Sequence, residues 1–441
     1  MSVPLQILMA FGSVLILLGL MRIVRKLSKV IGLNAEVQRK LVHIGTGLYA
    51  LTFPWLFPDR WPVYMLIGLT LIVMMVLRLP SVAKSGLGST LHGVERKSYG
   101  DIFLAISIGV CFFLAQGNML QYVLPIAVLT MADAAAALAG TVYGTKKFQV
   151  EDSHKSVEGS AVFFVITLLI SVICLMLLSE LPTPNILALS LMIAAFGTLV
   201  EAQSWRGFDN LFLPLGLLVF LTTHAERGLS ELAILAGMFF LAIVLFRFLA
   251  PKFGLNAHAA RVYVVVVFLL LAVTAIQNAI LPLLVLVAHT WSRASNPCEG
   301  KFPDLDIVAS LALVSFGWLV LGNATGWNAV SFYGIGAMGL TIGLVSIALR
   351  PRKNLARAGI IAALVILNVV RLGVVSANPA ASNWAEPLWA LALISLAVMV
   401  TIVGLPTNYF RTDRVLKLTL LSLAMPLGYY LYSIDILGNL S

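Results

Sequence analysis

Five short polar clusters interrupt a chain that is otherwise poor in charge, since only 11% of its 441 residues are Asp, Glu, Lys or Arg. They read RKLVHIGTG from Arg39, ERKSYGD from Glu95, MADAAAALAGTVYGTKK from Met131, HKSVEGS from His154 and EAQSWRGFDN from Glu201. Carboxylates are suited to Mg²⁺, and lysines, arginines and free backbone N–H groups are suited to phosphate. The clusters therefore indicate chemistry on a phosphorylated, metal-bound ligand.

Asp133 is the most informative of these residues because it lies about two to three helical turns inside an apolar run. A carboxylate at that depth is costly and is expected to face a cation or a water-filled cavity. Gly140 lies seven residues later on the same helix face, where it leaves room for a ligand or a neighbouring backbone. We predict Asp133 to be a metal ligand or general base, and a hydrogen bond in helix packing is the alternative.

The HKSVEGS cluster places Lys155 just before the start of a predicted helix. Free backbone N–H groups, the positive end of the helix dipole and the ammonium could converge there on a phosphate. The pattern GxxxxGK[ST] is absent from the sequence, which excludes a P-loop kinase. The alternative is an ordinary helix N-cap beside a solvated lysine.

Two other groups could complete such a site. Glu201, Asp209 and Asn210 offer the hard oxygen ligands that Mg²⁺ prefers. The alternative is an ordinary polar loop that binds no metal. His43 follows Arg39 and Lys40 by one helical turn and could hold phosphate or act as a base. A simple hydrogen-bonding role for His43 is the alternative.

The elements that carry these residues are predicted to be membrane-spanning helices. The chain is 60% hydrophobic, and apolar runs long enough to cross a bilayer recur along it, about sixteen in all. We therefore predict an all-α, multi-pass integral membrane protein. Its partners include the lipid bilayer but not nucleic acid, because the Lys and Arg residues behind the net charge of +10 flank apolar runs.

The distribution of Lys and Arg among the loops predicts which loops face the cytoplasm. Basic loops alternate with nearly neutral ones, which places the loops of all five clusters on the cytoplasmic side of the membrane and both termini on the other. Cys111, Cys174 and Cys298 form neither a disulfide framework nor a C-x-x-C metal motif. The candidate site is thus expected to face the cytoplasm.

The polar clusters also divide the chain. They lie within residues 36–225, so we predict one transmembrane domain over 1–229 and a second helical bundle over 230–441. The second bundle could stabilise the first, supply a groove that faces lipid, or form the interface of a homo-oligomer.

Taken together, the five motifs resemble the polyprenol, phytol and dolichol kinase family, membrane enzymes related to phosphatidate cytidylyltransferases. The resemblance covers roughly residues 36–225 and is closest to the phytol kinase branch. It implies phosphorylation of an isoprenoid alcohol by CTP, or UTP, with Mg²⁺. A cytidylyltransferase that makes a CDP-lipid is the nearest alternative, and a secondary transporter is a more distant one.

With this resemblance, roles follow for the residues of the motifs. Catalysis is assigned to Asp133, Lys155 and His43, and the metal site to Asp133, Glu201, Asp209 and Asn210. Nucleotide binding is assigned to the remaining basic residues, glycines and polar residues of the clusters: Arg39, Lys40, Arg96, Lys97, Gly140, Gly144, Lys146, Lys147, Ser156, Glu158 and Gly159.

The second half shows a weaker resemblance, to the phytyl-phosphate kinase family, in LPLLVLVAHTWSRASN and GWNAVSFYGIGAMG. Where that family has Asp-Thr-Trp followed shortly by Glu, this chain has His289, Thr290 and Trp291, then Ala294. The acidic metal ligands of that pattern are missing. We therefore expect the only nucleotide site to lie in the first half.

Overall fold

The computed structural model describes residues 1–33, 35–79, 99–151, 153–300, 302–325, 330–350, 353–378 and 388–438. The chain forms two compact units, Met1–Ala236 and Gly237–Ser441. Each unit is helical in almost all of its described residues.

The first unit begins with four helices, which are α1 (Val3–Ile31), α2 (Ala35–Leu51), the single-turn α3 (Phe53–Leu56) and α4 (Trp61–Leu77). It continues with α5 (Gly100–Ala115) and α6 (Met119–Tyr143). After a short hairpin come α7 (Val157–Leu178), α8 (Thr183–Gln203), α9 (Asp209–His224) and α10 (Leu229–Leu249), which runs on past Ala236. Within the unit α6 packs on α7, α7 on α8, α5 on α9 and α1 on α4.

Helix α6 contains a widened π-helical turn over Val128–Ala132, immediately before Asp133. Pro125 lies one turn earlier and has no backbone N–H, so the regular hydrogen-bond ladder is already interrupted there. In the widened turn the Asp133 N–H bonds to the carbonyl of Val128, five residues back. Such π turns inside α-helices frequently accompany functional sites.

A two-stranded antiparallel hairpin joins α6 to α7, with β1 at Lys147–Val150 and β2 at Ser153–Ser156. Lys147 pairs with Ser156, and Gln149 pairs with His154. The all-α fold class describes the chain, and this hairpin is a local addition that the sequence does not predict, because each strand is only four residues long. Ser156 ends β2 and caps α7, its hydroxyl oxygen accepting the N–H of Gly159 at 3.0 Å.

The second unit is composed of α-helices and short 3₁₀ turns. Its helices are α11 (Ala257–Val273), α12 (Ile280–Ser295), α13 (Pro303–Thr325), α14 (Val330–Leu349), α15 (Lys353–Ser376), α16 (Leu388–Gly404) and α17 (Arg414–Gly438). Helix α14 lies at the centre of this unit, packing against α12, α13, α15, α16 and α17. Nearly all of its residues are buried.

The chain is a multi-pass helical membrane protein. Among the described residues, nine helices are long and apolar enough to cross a membrane, and four shorter helices are also apolar. Helix α7 exposes Val165, Leu169, Ile173 and Met176 along one stripe, an apolar surface suited to lipid tails. The full count of about sixteen spans and the sidedness of the loops stay predictions.

Candidate functional site

Four of the five polar clusters meet in one open cleft of the first unit, with about 1080 Å³ of unfilled space. Helix α2 contributes Arg39 and Lys40, and α6 contributes Asp133 and Gly140. The hairpin and the start of α7 contribute the residues from Lys147 to Ser160 that line it, and α8 and α9 contribute one carboxylate each. Residues more than 150 positions apart therefore share one polar surface.

Three carboxylates form the centre of the cleft. Asp133, Glu201 and Asp209 each offer one oxygen, and these oxygens lie within 4.8 Å of one another. Asp133 and Glu201 are buried, whereas Asp209 is half-buried. Because like charges at this separation repel strongly, the cluster requires cations close by.

Two lysines supply such charge. Lys40 Nζ lies 2.5 Å from Asp133 Oδ2. Lys155 Nζ lies 2.6 Å from Glu201 Oε1 and 3.9 Å from Asp209 Oδ2, and it also donates to the backbone carbonyl of Glu201. Burial disfavours the charged ammonium, but the Glu201 and Asp209 carboxylates outweigh burial and raise the pKa of Lys155 above its usual value. Three carboxylates and two ammonium groups leave one net negative charge in the cluster.

His43 lies beside Asp133, held by the widened turn of α6. Its Nε2 is 3.1 Å from the carbonyl oxygen of Leu129 and 3.6 Å from Asp133 Oδ2. A carbonyl only accepts hydrogen bonds, so Nε2 must carry the proton in that contact. In the neutral ring Nδ1 is then the acceptor, which is the state that a general base requires.

Two glycines bring α6 and α7 close enough to build the cleft. A Cβ atom placed on Gly140 would lie 2.9 Å from Ser156 Oγ, and one on Gly159 would lie 2.9 Å from the carbonyl oxygen of Ala136. Both separations are too short for a side chain. These glycines, which are predicted to bind nucleotide, therefore also allow α6 and α7 to pack closely.

Some predicted residues lie at the edge of the cleft. The Glu158 carboxylate accepts the Thr145 hydroxyl and the N–H of Lys146, which ties the end of α6 to the start of α7. The Lys146 side chain is exposed, and it is Lys147 that lines the cleft. Gly144 lies against Ser156. Arg96 and Lys97 lie outside the described residues.

The residues that line the cleft include Asp209 but not Asn210. Asn210 Nδ2 donates to the carbonyl of Gly100 at 2.8 Å, and its side chain lines a different, apolar cavity. The assignment of Asn210 to the metal site stays a prediction. In the structure Asn210 joins α9 to α5.

His154 lines the cleft although no role was predicted for it. It lies two residues before Ser156 on β2, and residues two apart share one face of a strand. The unpredicted hairpin thus accounts for the omission. A second unpredicted contact, between Arg206 and Glu151 at 2.5 Å, holds the turn of the hairpin to the loop that precedes α9.

The three carboxylates fit a divalent metal ion. They are hard oxygen donors, they converge from three elements, and lysines already balance most of their charge. Mg²⁺ usually takes one or two carboxylates and completes its shell with water and phosphate oxygens. Basic residues, Arg39 and Lys147 among them, line the same cleft.

Comparison with known proteins points the same way. The chain is 33% identical over 221 residues to a phytol kinase from Synechocystis sp., a match that covers 49% of this chain and 91% of that relative. No protein-family profile matches the chain, and no solved structure matches it. At that identity, and with almost all of the relative covered, the chain belongs to the phytol kinase family.

Proposed function

We propose that this protein is a kinase that transfers the γ-phosphate of CTP, or UTP, to the hydroxyl group of an isoprenoid alcohol. The observation that carries the proposal is the cluster of Asp133, Glu201 and Asp209 in a cleft rimmed by basic side chains. The kinship with a phytol kinase supports an alcohol as the acceptor.

In this proposal the carboxylates hold the metal and the basic residues hold the nucleotide. Mg²⁺ bound by Asp133, Glu201 and Asp209 would neutralise charge on the nucleotide phosphates. Lys155 releases part of its contact with Glu201 and Asp209 to bind a phosphate oxygen. Arg39, Lys147 and His154 contribute further positive charge or hydrogen bonds from the cleft wall.

His43 is proposed as the base. The alcohol oxygen bonds to the γ-phosphorus while the bond from that phosphorus to the bridging oxygen breaks, and the nucleoside diphosphate leaves. The hydroxyl proton passes to Nδ1 of His43, whose Nε2 is held by the Leu129 carbonyl. Phosphoryl transfer of this kind depends mainly on position and electrostatics, which a buried, charge-balanced cluster can supply.

The orientation of the enzyme is also proposed. The cleft lies at the C-terminal ends of α6 and α8, beside Lys147 of β1 and Glu201 of α8, where basic loops predict the cytoplasmic side. The nucleotide would then enter from the cytoplasm and the alcohol from the bilayer.

Purified full-length protein tests the proposal when CTP, UTP and ATP are each offered with phytol, farnesol or a long polyprenol. We expect a lipid monophosphate with CTP or UTP, dependence on added Mg²⁺, and no product after chelation. A product that carries the cytidine moiety would instead assign a cytidylyltransferase. Absence of any lipid phosphate under all of these conditions would refute the kinase.

A further inference from the structure

The first unit contains a second cavity, with about 900 Å³ of unfilled space, between α1, α2, α4 and α5. Its walls are mainly apolar and include Met21, Leu66, Ile67, Leu104, Ala105 and Ile108. Such apolar walls suit an apolar ligand.

The hydroxyl groups along this cavity are largely engaged with protein. Thr70 Oγ1 donates to the carbonyl of Leu66 at 2.8 Å, and the Tyr49 hydroxyl lies 2.5 Å from Ser13 Oγ. A polar ligand would therefore find few partners along most of the cavity length. The surroundings favour a hydrocarbon chain.

One end of the cavity is polar and meets the charged cleft. Arg39 lines both spaces, and His43 lines the apolar cavity while its Nε2 lies 3.6 Å from Asp133 Oδ2. A ligand that fills the apolar cavity therefore presents its end group to the carboxylate cluster. The end group that fits is small and uncharged, because the Asp133 carboxylate lies next to His43.

One face of α2 runs the whole length of the cavity. Arg39, His43, Thr46 and Ala50 recur every three or four residues and all line it, as does Phe53 of α3. From Arg39 to Ala50 this face is about 16 Å long. At the far end, Phe53 packs edge-to-face against Phe112, with ring centroids 6.5 Å apart.

From this continuity we infer that the cavity between α1, α2, α4 and α5 binds the isoprenoid chain of the substrate, with the hydroxyl at His43 and the tail toward Phe53. The inference rests on the proposed kinase activity for the identity of the end group.

The test fills the cavity with Ala105→Phe, because Ala105 lines its wall and the added ring would enter unfilled space. The matched control is Ala233→Phe, an identical substitution at an exposed position of α10. Specificity constants are measured for prenol, geraniol and phytol, together with the KM for the nucleotide. Thermal unfolding of each variant shows whether it is folded.

We expect Ala105→Phe to reduce kcat/KM for phytol by about tenfold or more. The loss should be smaller for geraniol and smallest for prenol, with an unchanged nucleotide KM, and Ala233→Phe should leave all values unaltered. Equal losses for all three alcohols, or full activity on phytol, would overturn the inference.

A second measurement does not depend on turnover. A long-chain alcohol that carries a photoreactive diazirine in its tail is crosslinked to the wild-type protein, and the labelled peptides are identified. We expect labels on α4 and α5 that phytol competes away and that Ala105→Phe removes. If these labels appear while no alcohol is phosphorylated, the chain site stands and the proposed function fails. Labels confined to other helices would refute the site itself.

Discussion

At the scale of single residues, the contact between Lys40 and Asp133 means that a mutation of either residue affects both stability and the candidate site. Both side chains are buried, and each neutralises the other at 2.5 Å. Removing one partner leaves an uncompensated charge at a buried position, which typically costs several kcal/mol. If mutation of Asp133 alone abolished activity, the loss could result either from unfolding or from a missing catalytic group.

The first prediction separates these effects. Asp133→Asn should lower the free energy of unfolding by about 3 kcal/mol, because the Lys40 ammonium loses its partner. The double variant Lys40→Met/Asp133→Asn should recover most of that stability. Both variants should lose phosphoryl transfer by at least about a hundredfold, because a proposed metal ligand is absent. Thermal unfolding and initial rates, measured on the same preparations, provide the check.

Lys26→Met serves as the control for that pair, because Lys26 is exposed on α1 and should alter neither quantity. Activity in the stable double variant would mean that Asp133 contributes only to packing.

The second prediction concerns pH. Because the pKa of Lys155 is raised by Glu201 and Asp209, its ion pairs stabilise the fold fully below the usual lysine pKa of about 10.4. That contribution is lost as the pH rises through the higher pKa of the folded state. Wild-type protein should therefore exceed Lys155→Met in Tm by a constant margin from about pH 7 to pH 9, and the margin should shrink at more alkaline pH. A margin that stays constant at all pH values would contradict the ion pairs.

At the scale of elements, the cleft depends on how closely α6 and α7 approach. Gly159 lies where these helices meet, and a Cβ there would lie 2.9 Å from the Ala136 carbonyl oxygen. Gly68 of α4, by contrast, has open space around the corresponding position. The two glycines form a matched pair for substitution.

The third prediction is that Gly159→Ala lowers stability by about 1–3 kcal/mol, because α7 must move away from α6. The movement displaces Lys155 and Ser156, so the KM for the nucleotide should rise. Gly68→Ala should be neutral, or stabilising by up to about 1 kcal/mol, since alanine favours helix. Indistinguishable behaviour of the two variants would show that the close approach does not position the site.

The helices and the polar clusters could be predicted from the sequence because both are local signals. Apolar runs marked the helices, and the cost of burying Asp133 marked it as a residue in need of a cation, which Lys40 supplies. Pairing partners distant in the sequence, such as Lys155 with Glu201, could not be assigned from local pattern. The local pattern likewise does not reveal that the Asn210 amide donates to the distant carbonyl of Gly100.

At the scale of the whole molecule, the second unit has a polar cluster of its own. His289 Nε2 lies 2.9 Å from Asp304 Oδ1, and Arg293 Nη1 lies 2.5 Å from the same oxygen. Asp304 thus places a carboxylate beside His289, the position at which the phytyl-phosphate kinase pattern has Asp. This carboxylate is already bound by His289 and Arg293. Within the described residues, the group of three potential metal ligands lies in the first unit.

The fourth prediction concerns membrane topology. Asn118 and Lys146 flank opposite ends of α6, and Pro182 and Arg206 flank opposite ends of α8. Single cysteines at these positions, in a background without Cys111, Cys174 and Cys298, can be labelled with an impermeant maleimide. Cysteines at positions 146 and 206 should react from the cytoplasmic side, and those at 118 and 182 from the other side. Labelling of 146 and 206 from different sides would be incompatible with one shared cleft.

The central claim is that the protein transfers a terminal phosphate to an alcohol, and doubly labelled nucleotide tests it most directly. Full-length protein is incubated with Mg²⁺, phytol and CTP carrying one isotope at the γ-phosphate and another at the α-phosphate. We predict that the γ label alone enters the lipid fraction and that the α label is recovered as CDP. Appearance of the α label in the lipid, with release of pyrophosphate, would contradict the account.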